Sequence, residues 1–249
     1  MVKNNTIIID TFAEAFPMKA SRLIITAHNK TWALKAAESF TGFATSVIAC
    51  GCEAGIEKIL NSNDTPDGRP GVSILVFSMS SKELAKQILN RAGQCVMTTP
   101  TSSLFSGSTG DVKINLGKSL RYFGDGYQIS KIINGKRFWR IPVMDGEFVC
   151  EEYAYQQKAI GGGNFLVVGK DIVSVLKASE VAVSKMKKLR NIILPFPGGI
   201  VRSGSKVGSK YKKLIASTNF EYCPTLRGVT NSKLDKKTGC VLEISSGNL

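Results

Sequence analysis

With 249 residues, 43% of them hydrophobic, and a mean hydropathy of +0.02, the chain is long enough for one large domain or two small lobes around a sizeable core. No apolar run reaches the length of a bilayer span, and MVKNNTIIIDTF lacks the basic head and long apolar centre of a secretion signal, so a membrane is not an expected partner and the cytoplasm is the expected location. A formal charge of +14 points to anionic partners, but zinc-finger spacing, an RNP-type aromatic motif and a terminal basic arm are all missing, which argues against nucleic acid.

In chain order, Thr6 to Ile9 predicts a short strand ending in the polar turn Asp10-Thr11, and Arg22 to Ala27 predicts a second. Trp32, Ala33, Ala36, Ala37 and Phe40 recur at helical spacing, so Lys30 to Phe40 is expected to be a helix closed by Gly42. Val72 to Phe77 is a β-run. Ser81 to Ala92 follows as a helix, with Leu84, Ile88 and Leu89 on one face and Ser80 or Ser81 as its cap. Residues 102–118 are rich in Gly and Ser and are expected to form a loop.

From 119 to 150, strand-like runs are broken by GDG at 124–126, NG at 134–135 and DG at 145–146. Asn-Gly and Asp-Gly between apolar runs are hairpin signals, so a β-meander is expected here. A lobe boundary near 147–160 divides the chain into residues 1–147 and 148–249. The second lobe opens with a strand at Asn164 to Val168 and a helix at Ile172 to Leu189. Val175, Ala178, Ser179, Ala182 and Met186 are the expected buried stripe of that helix, and CVLEI at 240–244 is a last strand. Strands and helices alternating in both halves indicate an α+β fold with helices packed on mixed sheets.

Six cysteines are scattered along the chain, and only Cys50 and Cys52 are close in sequence. Neither a second pair nor a nearby histidine completes a tetrahedral set, so reduced, mostly buried thiols and no metal are expected. The single histidine, His28, follows the strand-like run SRLIITA and has a structural or surface role. GSKVGSK at 204–210 lacks the spacing of a triphosphate loop, and GGGN at 161–164 precedes a strand where a dinucleotide motif would open a helix.

The chain's most distinctive stretch is Pro195 to Thr225, built of Gly, Ser and Lys, with no Asp or Glu anywhere between Val181 and Phe220. Backbone N–H groups at glycines and the lysine charges suit an anionic ligand. Nine Lys and Arg lie between Lys185 and Lys213; a solvated basic face is the alternative reading.

Several blocks of sequence carry a specific resemblance. PFPGGIV at 195–201, SKVGSK at 205–210 and STNFEYCPT at 217–225 resemble the second half of formylmethanofuran:tetrahydromethanopterin formyltransferase. DTFAEAF at 10–16, TGFATSVIACGCEAGIE at 41–57, TPDGRPGV at 65–72, GQCVMTTPT at 93–101, FGDGYQ at 123–128, GEF at 146–148 and GGNF at 162–165 agree with it in order and spacing. The resemblance covers nearly the whole chain and looks closest to bacterial members.

It implies two lobes of ferredoxin-like α/β-sandwich topology and a homotetramer with substrates near subunit contacts. Relatives run on through a further helix and strand, so the second lobe is expected to be incomplete, with an unpaired edge and an uncovered apolar face on its last strands. The implied activity is an acyltransferase reaction: a formyl group passes between methanofuran and tetrahydromethanopterin, both cosubstrates, in one-carbon metabolism and formaldehyde oxidation. In bacteria the implied setting is a formyltransferase/hydrolase complex; a non-catalytic remnant or assembly subunit of it is the alternative.

Transfer between two amines creates a tetrahedral oxyanion and needs donors, a proton carrier and tight positioning. Glu243 matches a family glutamate at the transfer centre; between Leu242 and Ile244, burial would favour its proton-carrying form, unless strand alternation turns it to solvent. The other candidates are substrate-binding. Asn164 and Phe165 would offer an amide and a ring, although Phe165 also reads as core. Ser217, Thr218 and Asn219 form a hydrogen-bonding cluster or a turn, and Tyr127 reaches a ligand or packs a hairpin. Lys206 and Lys210 meet substrate carboxylates or solvent.

Overall fold

The structure, a computed structural model, describes residues 1–4, 6–11, 15–204 and 206–249. The motif block at 10–16 lies partly outside the described residues. A short ribbon pairs β1 (Val2–Lys3) with β2 (Thr6–Ile7), so the strand expected at Thr6 to Ile9 stops at Ile7.

The first lobe follows as β3 (Phe16–Thr26), α1 (Lys30–Thr41), the single turn α2 (Val47–Cys50), β4 (Glu53–Leu60), β5 (Gly71–Ser78), α3 (Ser81–Arg91) and β6 (Ser103–Ser106). Its strands lie in the order β4-β5-β3-β6, all antiparallel. Two βαβ units interleaved in this way are the ferredoxin-like arrangement. The helices start where side chains cap them: Asn29 Oδ1 accepts from the Trp32 amide at 3.1 Å and Ser80 Oγ from the Glu83 amide at 3.2 Å.

All eight residues of β5 are buried, because both faces of the sheet are covered. Ile74 and Val76 pack with Ala33, Ala37, Phe40, Leu84 and Ile88 on the helical side. Leu75 and Phe77 pack with Met18, Ala20, Ala159 and Ile193 on the other. Trp32, expected in the stripe of α1, is 38% exposed; the four smaller or terminal apolar positions make the contact instead.

The expected loop at 102–118 is instead two strands, β6 and β7 (Val112–Asn115), followed by the turn α4 (Gly117–Leu120). Serines at both ends of β6 hide its burial, for all four of its residues are buried in the sheet. The meander is β8 (Ile129–Ile133), β9 (Lys136–Val143) and β10 (Gly146–Glu151), and β10 joins β6 in parallel. Asn134 and Gly135 both have positive φ, the geometry of a type I′ turn.

The two lobes share one sheet through β11 (Tyr153–Gly169). Its first half pairs with β7 and β3, and its second half pairs with a strand of the second lobe. There α5 (Ile172–Met186), β12 (Ile192–Ile193) and β15 (Cys240–Asn248) complete the order β12-β15-β11. Between them, β13 (Lys206–Val207) and β14 (Ala216–Ser217) form a separate ribbon. Helix α5 buries Val175, Ser179 and Val183, whereas Ala178 of the expected stripe is exposed, so the buried face is rotated towards Val183.

The last strand is not an unpaired edge. β15 lies between β11 and β12, and Val201 bridges Glu243 with both backbone hydrogen bonds, at 2.7 and 2.9 Å. Leu242, Glu243 and Ile244 are buried together, so neither alternate set of its residues has lost its cover.

The lobes meet where Gly55 allows a close approach, since a Cβ there would stand 2.8 Å from Ile193 Cβ. A polar clasp lies alongside. Glu57 is the extra residue of a β-bulge between Ile56 and Lys58, turned inward to Arg22 of β3, with Arg22 Nε to Glu57 Oε2 at 2.7 Å and a second nitrogen to Oε1 at 2.8 Å. The Asn191 amide donates to Glu57 Oε1 at 3.1 Å, and Arg22 donates to Asn191 Oδ1 at 2.7 Å.

Candidate active site

Glu243 is 3% exposed on β15, opposite Leu166 of β11. Residues directly opposite in an antiparallel pair share a face, as do residues two apart. Asn164, opposite Ser245, is therefore the diagonal neighbour of Glu243, and its Nδ2 donates to Glu243 Oε1 at 2.7 Å. Asn164 is itself exposed, so its amide lies between the buried carboxyl and the surface.

The pairing depends on an irregularity. The register of β11 against β15 shifts between Gly161 and Gly163, with Gly162 at φ +96°. Extra residues of this kind re-aim the side chains that follow. Without the shift, Asn164 would face the other side of the sheet. Gly161 also has no room for a side chain, because a Cβ would collide with Met18 Sδ.

The cleft over Glu243 is walled by the segment after Val201. Gly204, at φ +71°, lets two loop turns touch: a Cβ there would lie 2.7 Å from Asn219 Cβ. Thr218, Asn219, Tyr222 and Cys223 line the cleft with Arg202 and Leu166. The 3₁₀ turn Phe220–Tyr222 is closed by the Tyr222 amide donating to Asn219 O at 2.9 Å, which fixes Asn219 beside the carboxyl's strand. Thr218 Oγ1 lies 3.5 Å from Cys223 Sγ.

Among the sequence-derived candidates, Glu243, Asn164, Thr218 and Asn219 converge. Ser217 is adjacent in β14, where its Oγ donates to Gly208 O at 2.8 Å and receives the Lys206 ammonium at 3.4 Å. That ammonium also lies 5.0 Å from the Phe220 ring centroid, and Lys210 is exposed. Phe165 lies opposite Ile244 and so occupies the other face of the sheet; at 45% exposure it is not core. Tyr127 is 80% exposed beside β8. In the sheet order, β8 is six strand spacings from β15, on the order of 29 Å at about 4.8 Å each.

Arg202 belongs to the nine basic residues between Lys185 and Lys213, whereas Tyr222 and Cys223 are not among the sequence candidates; the glycine spacing at 198–208, which folds the loop back onto Asn219, is the available signal. Among the described residues, no cluster of three or more His, Cys, Asp or Glu side chains is placed to hold a metal ion. Nor is any helix among them long and apolar enough to cross a membrane.

Comparison with known proteins matches residues 1–143 to the family model "Formylmethanofuran-tetrahydromethanopterin formyltransferase" and residues 146–247 to "FTR, proximal lobe". A formylmethanofuran–tetrahydromethanopterin formyltransferase of Methylococcus capsulatus is 60% identical over 244 residues, which are 98% of this chain and 82% of that protein. A subunit of the formyltransferase/hydrolase complex of Methylorubrum extorquens is 51% identical over 94% of this chain and 78% of its own length. The crystal structure of the M. extorquens formyltransferase/hydrolase complex with methylofuran superposes at a TM-score of 0.96 and 48% identity, covering 100% of this chain and 82% of that one. The Methanosarcina barkeri enzyme superposes at 0.94 and 43% identity, covering 100% and 85%. With both lobes matched in order, the chain belongs to the formylmethanofuran–tetrahydromethanopterin formyltransferase family.

Proposed function

We propose that the chain transfers a formyl group between methanofuran and tetrahydromethanopterin as cosubstrates, with Glu243 as the proton carrier. The supporting observation is a carboxyl buried beneath a cleft of mixed polar and apolar lining and held by an amide hydrogen bond, in a chain 60% identical to a named formyltransferase. The attacking amine loses a proton and the departing amine needs one; a single carboxyl can carry it between them. Thr218 and Asn219 supply donors where the oxyanion develops. Arg202 lines the cleft, and Lys206 and Lys210 lie on the neighbouring loop, a basic surround suited to carboxylate-bearing substrates. The reaction proceeds without a metal and without an acyl-enzyme.

The test is direct assay of formyl transfer in both directions with the purified chain. Turnover is expected to survive a chelator and to slow with rising ionic strength. No transfer in either direction would refute the activity, and a formylated protein trapped during turnover would refute the mechanism.

Tyr127 lies far from Glu243 along the sheet, a placement that suits contact with the same substrate from a second copy. We therefore propose a homo-oligomer, a tetramer by family resemblance, that joins further subunits as the M. extorquens relative does in its complex. Glu243→Gln and Tyr127→Ala are each expected to be defective alone and to regain activity when co-assembled. A fully active monomer by light scattering, or no regain in verified mixed oligomers, would exclude this arrangement.

A further inference from the structure

Asn164 was expected to offer its amide to substrate, yet that amide is already engaged with Glu243 Oε1 at 2.7 Å. Three features of these strands bring about that contact. The register shift at Gly162 turns Asn164 onto the face of Glu243. Ser246 Oγ donates to Gly163 O at 3.2 Å and holds the shifted strand against β15. The two backbone hydrogen bonds between Val201 and Glu243 fix the other side of the carboxyl's own residue.

We infer that Asn164 is a positioning residue that acts through Glu243. An amide N–H donates and cannot accept, so it marks Oε1 as the accepting oxygen whether the carboxyl is protonated or not. The proton taken from the attacking amine is delivered to the leaving amine, and the carboxyl ends each turnover as it began. Asn164 itself neither gains nor loses a proton. Its contribution is to hold the carboxyl in one orientation; misplacement by about 1 Å can cost about 100-fold in rate. This inference rests on the reading of Glu243 as proton carrier.

The test is a kinetic cycle with Asn164→Ala, Asn164→Asp and Glu243→Gln, with the fold checked by circular dichroism. Asn164→Ala is expected to lower kcat by about 10- to 100-fold and to leave KM within about twofold, as for an interaction made only in the transition state. In the Glu243→Gln background the same change should cost nothing further, because its route of action is gone. Asn164→Asp gives a sharper readout. A protonated Asp offers an O–H where the amide offered N–H, whereas two facing carboxylates repel. Its activity should therefore recover as pH falls from 8 towards 5, on the scale of about tenfold per pH unit while a single proton governs. The other titratable side chains lining the cleft, Arg202, Tyr222 and Cys223, are the same in both proteins and cancel in the comparison.

A raised KM at unchanged kcat, or Asn164 and Glu243 effects that multiply, would show that Asn164 contacts substrate independently and would overturn the inference. A pH-independent Asn164→Asp would do the same. Glu243→Gln at wild-type rate would remove the proton carrier itself, a failure distinct from that of Asn164 alone.

Discussion

Glu243→Gln is expected to lower kcat by about 100- to 10,000-fold while KM changes little, the loss typical of a removed general acid–base group. The substitution is nearly isosteric, and a glutamine carbonyl oxygen can still accept from Asn164 Nδ2, so the contact at 2.7 Å and the packing of β15 are kept. What is lost is the ability to take and return a proton. A glutamate that merely bound substrate would show the opposite pattern, a higher KM at preserved kcat. Glu243→Ala would be the weaker experiment, because deleting a side chain only 3% exposed also leaves a void in the sheet. Wild-type kcat in the glutamine variant would assign the proton transfer elsewhere.

Much of this architecture is written in periodicity. Ala33, Ala36, Ala37 and Phe40 give α1, the mainly apolar run of β5, interrupted by Ser73, gives a strand covered on both faces, and Asn134-Gly135 gives a hairpin. Such features depend only on neighbours a few residues away. The two key carboxylates show where that reasoning stops. Glu57 is turned inward by a bulge between Ile56 and Lys58, and Asn164 reaches Glu243 only because of the shift at Gly162. A bulge breaks the period-two rule that assigns faces, so alternation cannot say which way the following side chains point. GGGN does announce an irregular strand, but its consequence depends on β15, some 80 residues later in the chain. Strand β6 is hidden for another reason: its serines are buried and hydrogen-bonded, with the Arg69 guanidinium donating to Ser103 Oγ at 2.6 Å and Ser106 Oγ donating to Ser108 O at 2.7 Å. Polarity there marks a hydrogen-bonded interior, which composition cannot distinguish from a loop.

The inter-lobe clasp carries the largest expected effect on stability. Glu57→Ala should destabilise the protein by about 3 kcal/mol, the lower part of the range for breaking a buried ion pair, because Arg22 retains some contact with water. For a chain of this length that corresponds to a fall in Tm of about 6–12 °C. Burial alone would push the Glu57 carboxyl up; hydrogen bonds from Arg22, Ser73 and the Asn191 amide, with the Arg22 charge, outweigh it and hold it below the usual carboxylate range. A carboxyl lowered by folding stabilises above its unfolded pKa of about 4.3, and that contribution disappears as pH falls through the lower folded value. Wild-type stability should therefore drop on acidification below about pH 4.3, and the alanine variant should lack that part of the slope. The lesion also reaches the active site. Asn191 accepts from the Leu249 amide at 2.9 Å, and Ile193 pairs with Gly247, four residues from Glu243 on the same strand. Loosening the clasp frees the end of β15 first, so kcat should decline at temperatures below the global unfolding transition. Replacing Arg22 and Glu57 together with Met and Leu should recover part of the stability, since no charge is then left unpaired. Unchanged Tm and an unchanged acid slope in Glu57→Ala would mean that apolar packing at Gly55 and Ile193 holds the lobes together without the clasp.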